Sequence, residues 1–81
     1  MSARPAKHSL TLRGHRTSVS MEDAFWQAFR ASARRRGMTL NALAAEIDAG
    51  RDAEVGLASA IRVFLLHEAG ENQARPGQPH S

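Results

Sequence analysis

Three polar residues that alternate along a short segment are the best candidates for a binding surface in this 81-residue sequence. Arg16, Ser18 and Ser20 carry a guanidinium group and two hydroxyl groups, all of which can form hydrogen bonds with a polar ligand. In an extended strand these residues share one face, while Val19 and Met21 share the other. The same alternation also fits a strand with one solvated face, on which Ser20 only caps a following helix.

Other chemistry has little support in the sequence. No serine, histidine and carboxylate form a recognisable nucleophile motif, and no glycine-rich phosphate loop occurs. The 4 histidines lack the close pairing that zinc sites use, and there is no cysteine. A chain this short also offers little room for a cleft. We therefore expect no enzyme activity, no cofactor, no metal and no small-molecule substrate.

Positive charge is concentrated near the N-terminus. Arg4, Lys7, Arg13 and Arg16 all precede the first acidic residue, Glu22, in a chain with a formal net charge of +3. A basic segment suits a polyanion, although basic arms are also common as solvated tails. A second basic cluster, the arginines at residues 34–36, can contact phosphate, but a helix dipole explains it as well.

The length of the chain limits its architecture. It can form one domain at most, and a domain of this size buries little surface unless something else stabilises it. Because disulfides and metals are not expected, oligomerisation is the remaining source of stability. No apolar run approaches the ~20 residues of a membrane span, and the N-terminus lacks the apolar stretch of a signal peptide. We therefore expect a cytoplasmic protein.

The candidate binding residues are predicted to lie on the second of two strand segments. Residues 9–12 alternate like a strand, but the apolar residues of this segment, Leu10 and Leu12, have the opposite parity to Val19 and Met21. A shift of one residue exchanges the two faces of a strand. The sequence therefore predicts a turn or bulge near Gly14, between two strand segments.

Two helices are predicted after the strands. The first begins near Met21 with Ser20 as its N-cap, and it ends before Gly37, a residue type that favours a helix C-terminus. The second has Thr39 as its N-cap and ends near Gly50. Its apolar residues recur at helical spacing, at Leu40, Leu43, Ala44 and Ile47.

A third helix is predicted at about residues 57–69. Its apolar surface is too wide for an exposed helix, so we expect it to pack across a partner subunit.

Residues 1–8 show no periodicity and are expected to form a flexible basic arm. Residues 70–81 are polar and interrupted by proline, which is typical of a disordered tail. The predicted domain therefore spans residues 9–69.

The order of strand, helix, glycine-marked turn and helix over residues 16–43 resembles the ribbon-helix-helix (Arc/MetJ-like) family of DNA-binding dimers. The segment GHRTSVSMEDAFWQAF is similar to a bacterial single-domain subfamily with an added C-terminal helix. The resemblance covers residues 9–69. It implies a mainly α fold, in which a short N-terminal β-strand pairs with the partner subunit of a homodimer and three helices follow. Either Leu40 and Asn41 or Ser59 and Ala60 can begin the family's second helix, and we favour the first pair because it follows the first helix at the expected turn length.

The resemblance also implies roles for individual residues. Arg16, Ser18 and Ser20 would contact base edges in the major groove of double-stranded DNA. Phosphate contacts would come from four further residues, namely Thr39, Leu40, Asn41 and Arg13. The implied function is that of a sequence-specific transcription regulator acting as a repressor. The alternative is a small dimeric protein-interaction module, for example the antitoxin partner of a toxin.

Overall fold

The computed structural model describes residues 4–73 as a β-hairpin followed by three helices. The strands β1 (Ala6–Leu12) and β2 (His15–Met21) are antiparallel, and α1 (Asp23–Arg35), α2 (Leu40–Gly50) and α3 (Leu57–Gln73) follow them. No helix in this described part of the chain is long and apolar enough to cross a membrane. The two strands followed by three helices agree with the predicted element order.

A two-residue turn joins the strands. Arg13 and Gly14 both have positive φ angles, 54° and 84°, which is the combination that a type I′ turn requires. This turn brings Leu12 opposite His15 and confirms the predicted break between two strand segments. Because the chain reverses direction here, the even-numbered residues of β1 lie on the same face as the odd-numbered residues of β2.

One face of the hairpin packs against the helices. Leu10, Leu12, Val19 and Met21 are all buried on this face, as their alternation predicts. Each helix contributes two buried apolar residues to the same core, which are Phe29, Ala33, Leu43, Ala44, Ile61 and Leu65. Since burial of apolar side chains is the main force that holds a small domain together, this packing sets which face of the hairpin points outward.

The turn between α1 and α2 has the predicted capping residues. Gly37 has a φ angle of 68°. Its N–H donates to the carbonyl of Arg34, and the N–H of Met38 donates to the carbonyl of Ala33. These two bonds form a Schellman motif that ends α1. Thr39 then caps α2 through its Oγ1 atom, which accepts a hydrogen bond of 3.0 Å from the N–H of Ala42.

The predicted start of α1 was wrong. The helix begins at Asp23, and its N-cap is Glu22, whose side chain makes no capping hydrogen bond. Ser20 and Met21 belong to β2, as their alternation with Val19 predicts, and Met21 lies opposite Ala6 and is fully buried. The strand therefore continues for two residues more than the capping preference of Ser20 suggests.

Both ends of the ordered domain also extend beyond the prediction. Residues 6–8 lie in β1 rather than in a flexible arm, because they pair with residues 19–21 and the ring of His8 stacks on Trp26 with the centroids 3.9 Å apart. At the other end α3 continues through residues 70–73, which were predicted to be part of the tail. Residues 1–3 of the predicted arm and residues 74–81 of the predicted tail lie outside the described residues.

The pairing of β2 with a strand of its own chain was not predicted. The partner of this strand was expected to come from a second subunit, whereas β1 pairs with one edge of β2. The other edge of β2 pairs with no strand in the described part of the chain. Pairing between subunits therefore stays a prediction, and it would now produce a sheet of four strands.

Candidate nucleic-acid interface

The exposed face of the hairpin carries six polar residues. They form three cross-strand pairs, and every member of these pairs is exposed: Lys7 with Ser20, Ser9 with Ser18, and Thr11 with Arg16. We call this surface the ribbon face. Each of its side chains can donate a hydrogen bond and two of them are positively charged, so the face suits a polar ligand with negative charge.

The three predicted base-contacting residues lie together on the ribbon face. Arg16, Ser18 and Ser20 are exposed, while Val19 and Met21 between and beside them are buried. Their common orientation agrees with the alternation in the sequence. Contact with bases stays a prediction.

Sequence reasoning missed the other half of the ribbon face. Lys7 was assigned to a flexible arm, and Ser9 and Thr11 were given no role. Part of the signal was present, because Ser9 and Thr11 alternate with Leu10 and Leu12 in the sequence. A hairpin with a two-residue turn places these residues beside Ser18 and Arg16.

The backbone of β2 presents hydrogen-bonding groups along its open edge. The N–H of Thr11 donates to Asn41 Oδ1 at 3.1 Å, so it points away from β2. Thr11 and Arg16 therefore form a non-hydrogen-bonded pair of the antiparallel ladder. Because this pattern repeats every two residues, the backbone groups of Arg16, Ser18 and Ser20 point toward the open edge.

Arg62 of α3 occupies one end of that edge. Its Nη2 atom donates to the carbonyl of Ser20 at 3.3 Å and to Glu22 Oε1 at 2.8 Å. The guanidinium also lies over the ring of Phe25, 5.6 Å from the centroid. The hydrogen bond from Arg62 lowers the pKa of Glu22 below its ordinary value. α3 is thus attached to the junction between β2 and α1.

The N-terminus of α2 lies beside β1. Asn41 accepts the hydrogen bond from Thr11 described above, and the side chain of Thr39 accepts from Ala42. The N–H groups of Leu40 and Asn41 have no acceptor in the described part of the chain. Such groups carry partial positive charge at a helix N-terminus and can bind phosphate. Three of the four predicted phosphate-contacting residues therefore lie together at the edge of the ribbon face.

The fourth predicted residue, Arg13, lies at a different place. It belongs to the turn and lines a groove of about 580 Å³ together with His15, Arg16, Asp48 and other residues, but none of residues 39–41 lines this groove. The N-terminus of α2 contacts Thr11, whereas Ala45 and Asp48 of the same helix line the groove beside Arg13. The predicted phosphate contacts therefore come from two elements, the N-terminus of α2 and the hairpin turn.

Two arginines at the end of α1 form ion pairs. Arg35 Nη2 lies 2.9 Å from Glu68 Oε1, and Arg36 Nη2 lies 2.8 Å from Glu68 Oε2. The buried hydroxyl of Ser32 also donates to Glu68 Oε2, at 2.9 Å. Burial raises the pKa of Glu68, but the hydrogen bonds from Arg36 and Ser32 and the charges of both arginines lower it more, so it lies below its ordinary value. In this structure Arg35 and Arg36 join α1 to α3.

Comparison with known protein families identifies the domain. The family model of the ribbon-helix-helix domain matches residues 5–69. The chain belongs to this family. The ribbon-helix-helix match includes both strands of the hairpin and most of α3, so β1 is part of the domain. No curated protein and no solved structure matches the chain.

Membership of the ribbon-helix-helix family bears on the chemistry of the site. Domains of this family are typically DNA-binding transcription regulators or antitoxins, bind DNA as dimers, and are generally not enzymes. Within residues 4–73 no group of histidine and acidic side chains could hold a metal ion.

Proposed function

We propose that this ribbon-helix-helix protein is a sequence-specific, DNA-binding transcription regulator that acts as a repressor in the bacterial cytoplasm. The observation that carries the proposal is the ribbon face, on which Arg16, Ser18 and Ser20 point outward because Val19 and Met21 are buried. A guanidinium group can donate two hydrogen bonds to guanine, and a serine hydroxyl can donate to or accept from several bases. The major groove admits a two-stranded β-ribbon, which the paired β2 strands of a dimer would supply.

The proposal includes a homodimer. A second β2 strand could pair in antiparallel fashion with the backbone groups at the open edge, which Arg16 and Ser18 present. Thr17 gives separate support, because it lies on the same face as the buried residues Val19 and Met21 and yet is exposed. The helices of one chain therefore cover only part of the inner face of the hairpin, and a second copy would cover the rest.

Exposed apolar side chains on the helices also support a second subunit. Phe25 is 38% exposed, Val63 is 51% exposed and Leu66 is 70% exposed. Two of these residues lie on α3, the helix that was expected to pack across the partner. Val63 and Leu66 are three residues apart and so are neighbours on the surface of α3, and a contiguous exposed apolar surface favours an interface with another protein.

The other residues have supporting roles in this proposal. The amides of Leu40 and Asn41, with Thr39 as the cap, hold a phosphate at the N-terminus of α2. Arg13 contacts a phosphate from the hairpin turn. These contacts position the dimer on the duplex, and Arg16 supplies most of the sequence discrimination because Ser18 is short.

The experiment compares the binding of four proteins to two DNAs across a salt series. An operator is first selected from genomic fragments and is then used beside random duplex. Arg16→Ala should weaken operator binding by roughly 1–3 kcal/mol per site and leave random duplex nearly unaffected. Ser18→Ala should change sequence preference more than total affinity. Arg35→Ala is the matched control, because it removes the same charge from the α1–α3 contact rather than from the ribbon face.

Two results would contradict the proposal. If Arg16→Ala and Ser18→Ala both bind both DNAs as the wild type does and remain dimeric, the ribbon face is not the reading surface. A wild type without salt-dependent binding to any duplex would exclude DNA as the ligand, since phosphate neutralisation makes affinity fall with salt. Either result favours the alternative, a dimeric protein-interaction module such as an antitoxin.

A further inference from the structure

The hairpin makes the ribbon of this protein twice as wide as a ribbon with one strand from each subunit. If the two β2 strands pair at their open edges, the strand order in the dimer is β1, β2, β2, β1. The outer strands then carry Lys7, Ser9 and Thr11 on the same face as Arg16, Ser18 and Ser20. The six residues of each chain therefore do not lie at the same distance from the two-fold axis.

The width of this sheet can be compared with the width of the major groove. Adjacent strands lie about 4.8 Å apart, so each β1 lies about 7 Å from the axis between the two β2 strands. The major groove is about 12 Å wide, so its edges lie about 6 Å from its centre. When the sheet lies over the groove with its strands along it, the side chains of the β2 strands point into the groove and the β1 strands lie above its rims, where the phosphates are.

We propose that β1 is a phosphate-binding strand, in which Lys7 and Thr11 contact the DNA backbone on either side of the groove that β2 reads. The ligand class is the phosphodiester group of duplex DNA, without regard to base sequence. This inference rests on the function proposed above and deepens it. Lys7 supplies the positive charge, is exposed, and makes no ion pair in the described part of the chain.

The contact between β1 and α2 supports the same assignment. The N–H of Thr11 donates to Asn41 Oδ1 at 3.1 Å, which holds the strand against the N-terminus of α2. The amides of Leu40 and Asn41 at that terminus have no acceptor in the described residues. The hydroxyl of Thr11 therefore lies on a surface that continues into a helix N-terminus suited to phosphate. The rim of the ribbon face and α2 form one anion-binding edge.

The test uses variants of Lys7 in the full-length chain. Lys7→Gln removes the charge at nearly constant length, Lys7→Arg keeps the charge, and Thr11→Val removes a hydroxyl at constant size. Affinity is measured for the selected operator and for random duplex over a salt series, and sedimentation checks that each variant is dimeric. Arg16→Ala is measured in parallel.

Lys7→Gln should lower affinity for operator and random duplex by the same factor and reduce the salt slope by about two units per dimer, one for each subunit. Lys7→Arg should retain the wild-type slope. Thr11→Val should lower both affinities equally with little change in slope, because it removes no charge.

Two outcomes would overturn the assignment. If Lys7→Gln leaves the slope and both affinities unchanged, β1 does not contact the backbone. If it changes the ratio of operator to random binding, β1 enters the groove and reads bases. Failure of the proposed function would give a different result from failure of this assignment. In that case Arg16→Ala would leave the ratio of operator to random-duplex affinity unchanged, whatever the Lys7 variants do.

Discussion

Replacement of Glu68 by glutamine tests how α3 is held against α1. The carboxylate of Glu68 accepts hydrogen bonds from Ser32, Arg35 and Arg36, and its side chain is only 14% exposed. Glu68→Gln preserves the size of the side chain and removes its charge. The amide oxygen can still accept from Ser32, but the amide nitrogen would face an arginine, so at least one of these bonds is lost.

The expected effect at neutral pH follows from the exposure of the partners. Hydrogen bonds to charged groups contribute about 1.5–3 kcal/mol each, but exposed ion pairs contribute about 1 kcal/mol or less. The side chains of Arg35 and Arg36 are 57% and 40% exposed, whereas Ser32 is fully buried. We therefore expect Glu68→Gln to lower the free energy of unfolding by about 1–2 kcal/mol.

The dependence on pH provides a second, sharper test. The pKa of Glu68 is lowered in the folded protein, so between that pKa and the unfolded value of about 4.3 the unfolded state binds more protons. The stabilisation by Glu68 is therefore present above the unfolded value and is lost as the pH falls through the folded pKa. The glutamine variant does not titrate at this position, so its difference from the wild type should shrink below about pH 4.

The free energy of unfolding can be measured by urea denaturation at fixed protein concentration, with the single tryptophan, Trp26, as the fluorescent probe. Glu22→Gln is the matched control, because it breaks a pair with Arg62 in which the side chains are 34% and 29% exposed. The control should lose less stability than Glu68→Gln. The reasoning is refuted if the two variants are equally destabilised at pH 7, or if the loss in Glu68→Gln is the same at pH 3.5 as at pH 7.

Three further predictions concern the core, the turn and the dimer. Phe29→Ala should lower the free energy of unfolding by roughly 3–5 kcal/mol in urea denaturation, because Phe29 is fully buried; an effect below 1 kcal/mol would contradict that burial. Arg13→Asn should raise stability by roughly 1 kcal/mol, because asparagine tolerates the positive φ of 54° better than arginine does. In the same variant, loss of a phosphate contact should weaken binding to operator and random duplex equally. Dilution of the wild type should lower its melting temperature, as for an obligate dimer, whereas a concentration-independent melt at monomer mass in sedimentation would contradict the homodimer.

Features that depend on local sequence were predicted correctly. The inward residues of the strands and the N-cap of α2 follow from alternation and from the side chain of Thr39, which needs only a neighbouring N–H. The start of α1 was predicted wrongly because it depends on contacts between residues that are distant in the sequence. Ser20 is a favourable N-cap by residue type, but the pairing and full burial of Met21 keep both residues in the sheet. Tertiary contacts there override a local preference of about 1 kcal/mol.

The pairing of β1 with β2 could not be predicted from parity alone. The opposite parity of the apolar residues in the two strand segments required a break near Gly14. It did not distinguish a bulge in a continuing strand from a reversal of the chain. Asparagine or aspartate before the glycine would have indicated a type I′ turn, but Arg13 is not one of the residue types that usually mark one. The ion pairs of Arg35 and Arg36 were not predicted, because their partner Glu68 lies more than 30 residues away in the sequence.

The composition of the ribbon face determines how its affinity and its specificity are divided in the proposed complex. Each β2 presents one long side chain, Arg16, and two short ones, Ser18 and Ser20, so most base discrimination falls on a single residue per subunit. Contacts with the DNA phosphate backbone would come from Lys7 and from the N-terminus of α2. Such contacts do not discriminate between DNA sequences. A protein built this way should bind random duplex appreciably. The ratio of operator to random binding at a stated salt concentration, rather than affinity alone, therefore reports what the ribbon reads.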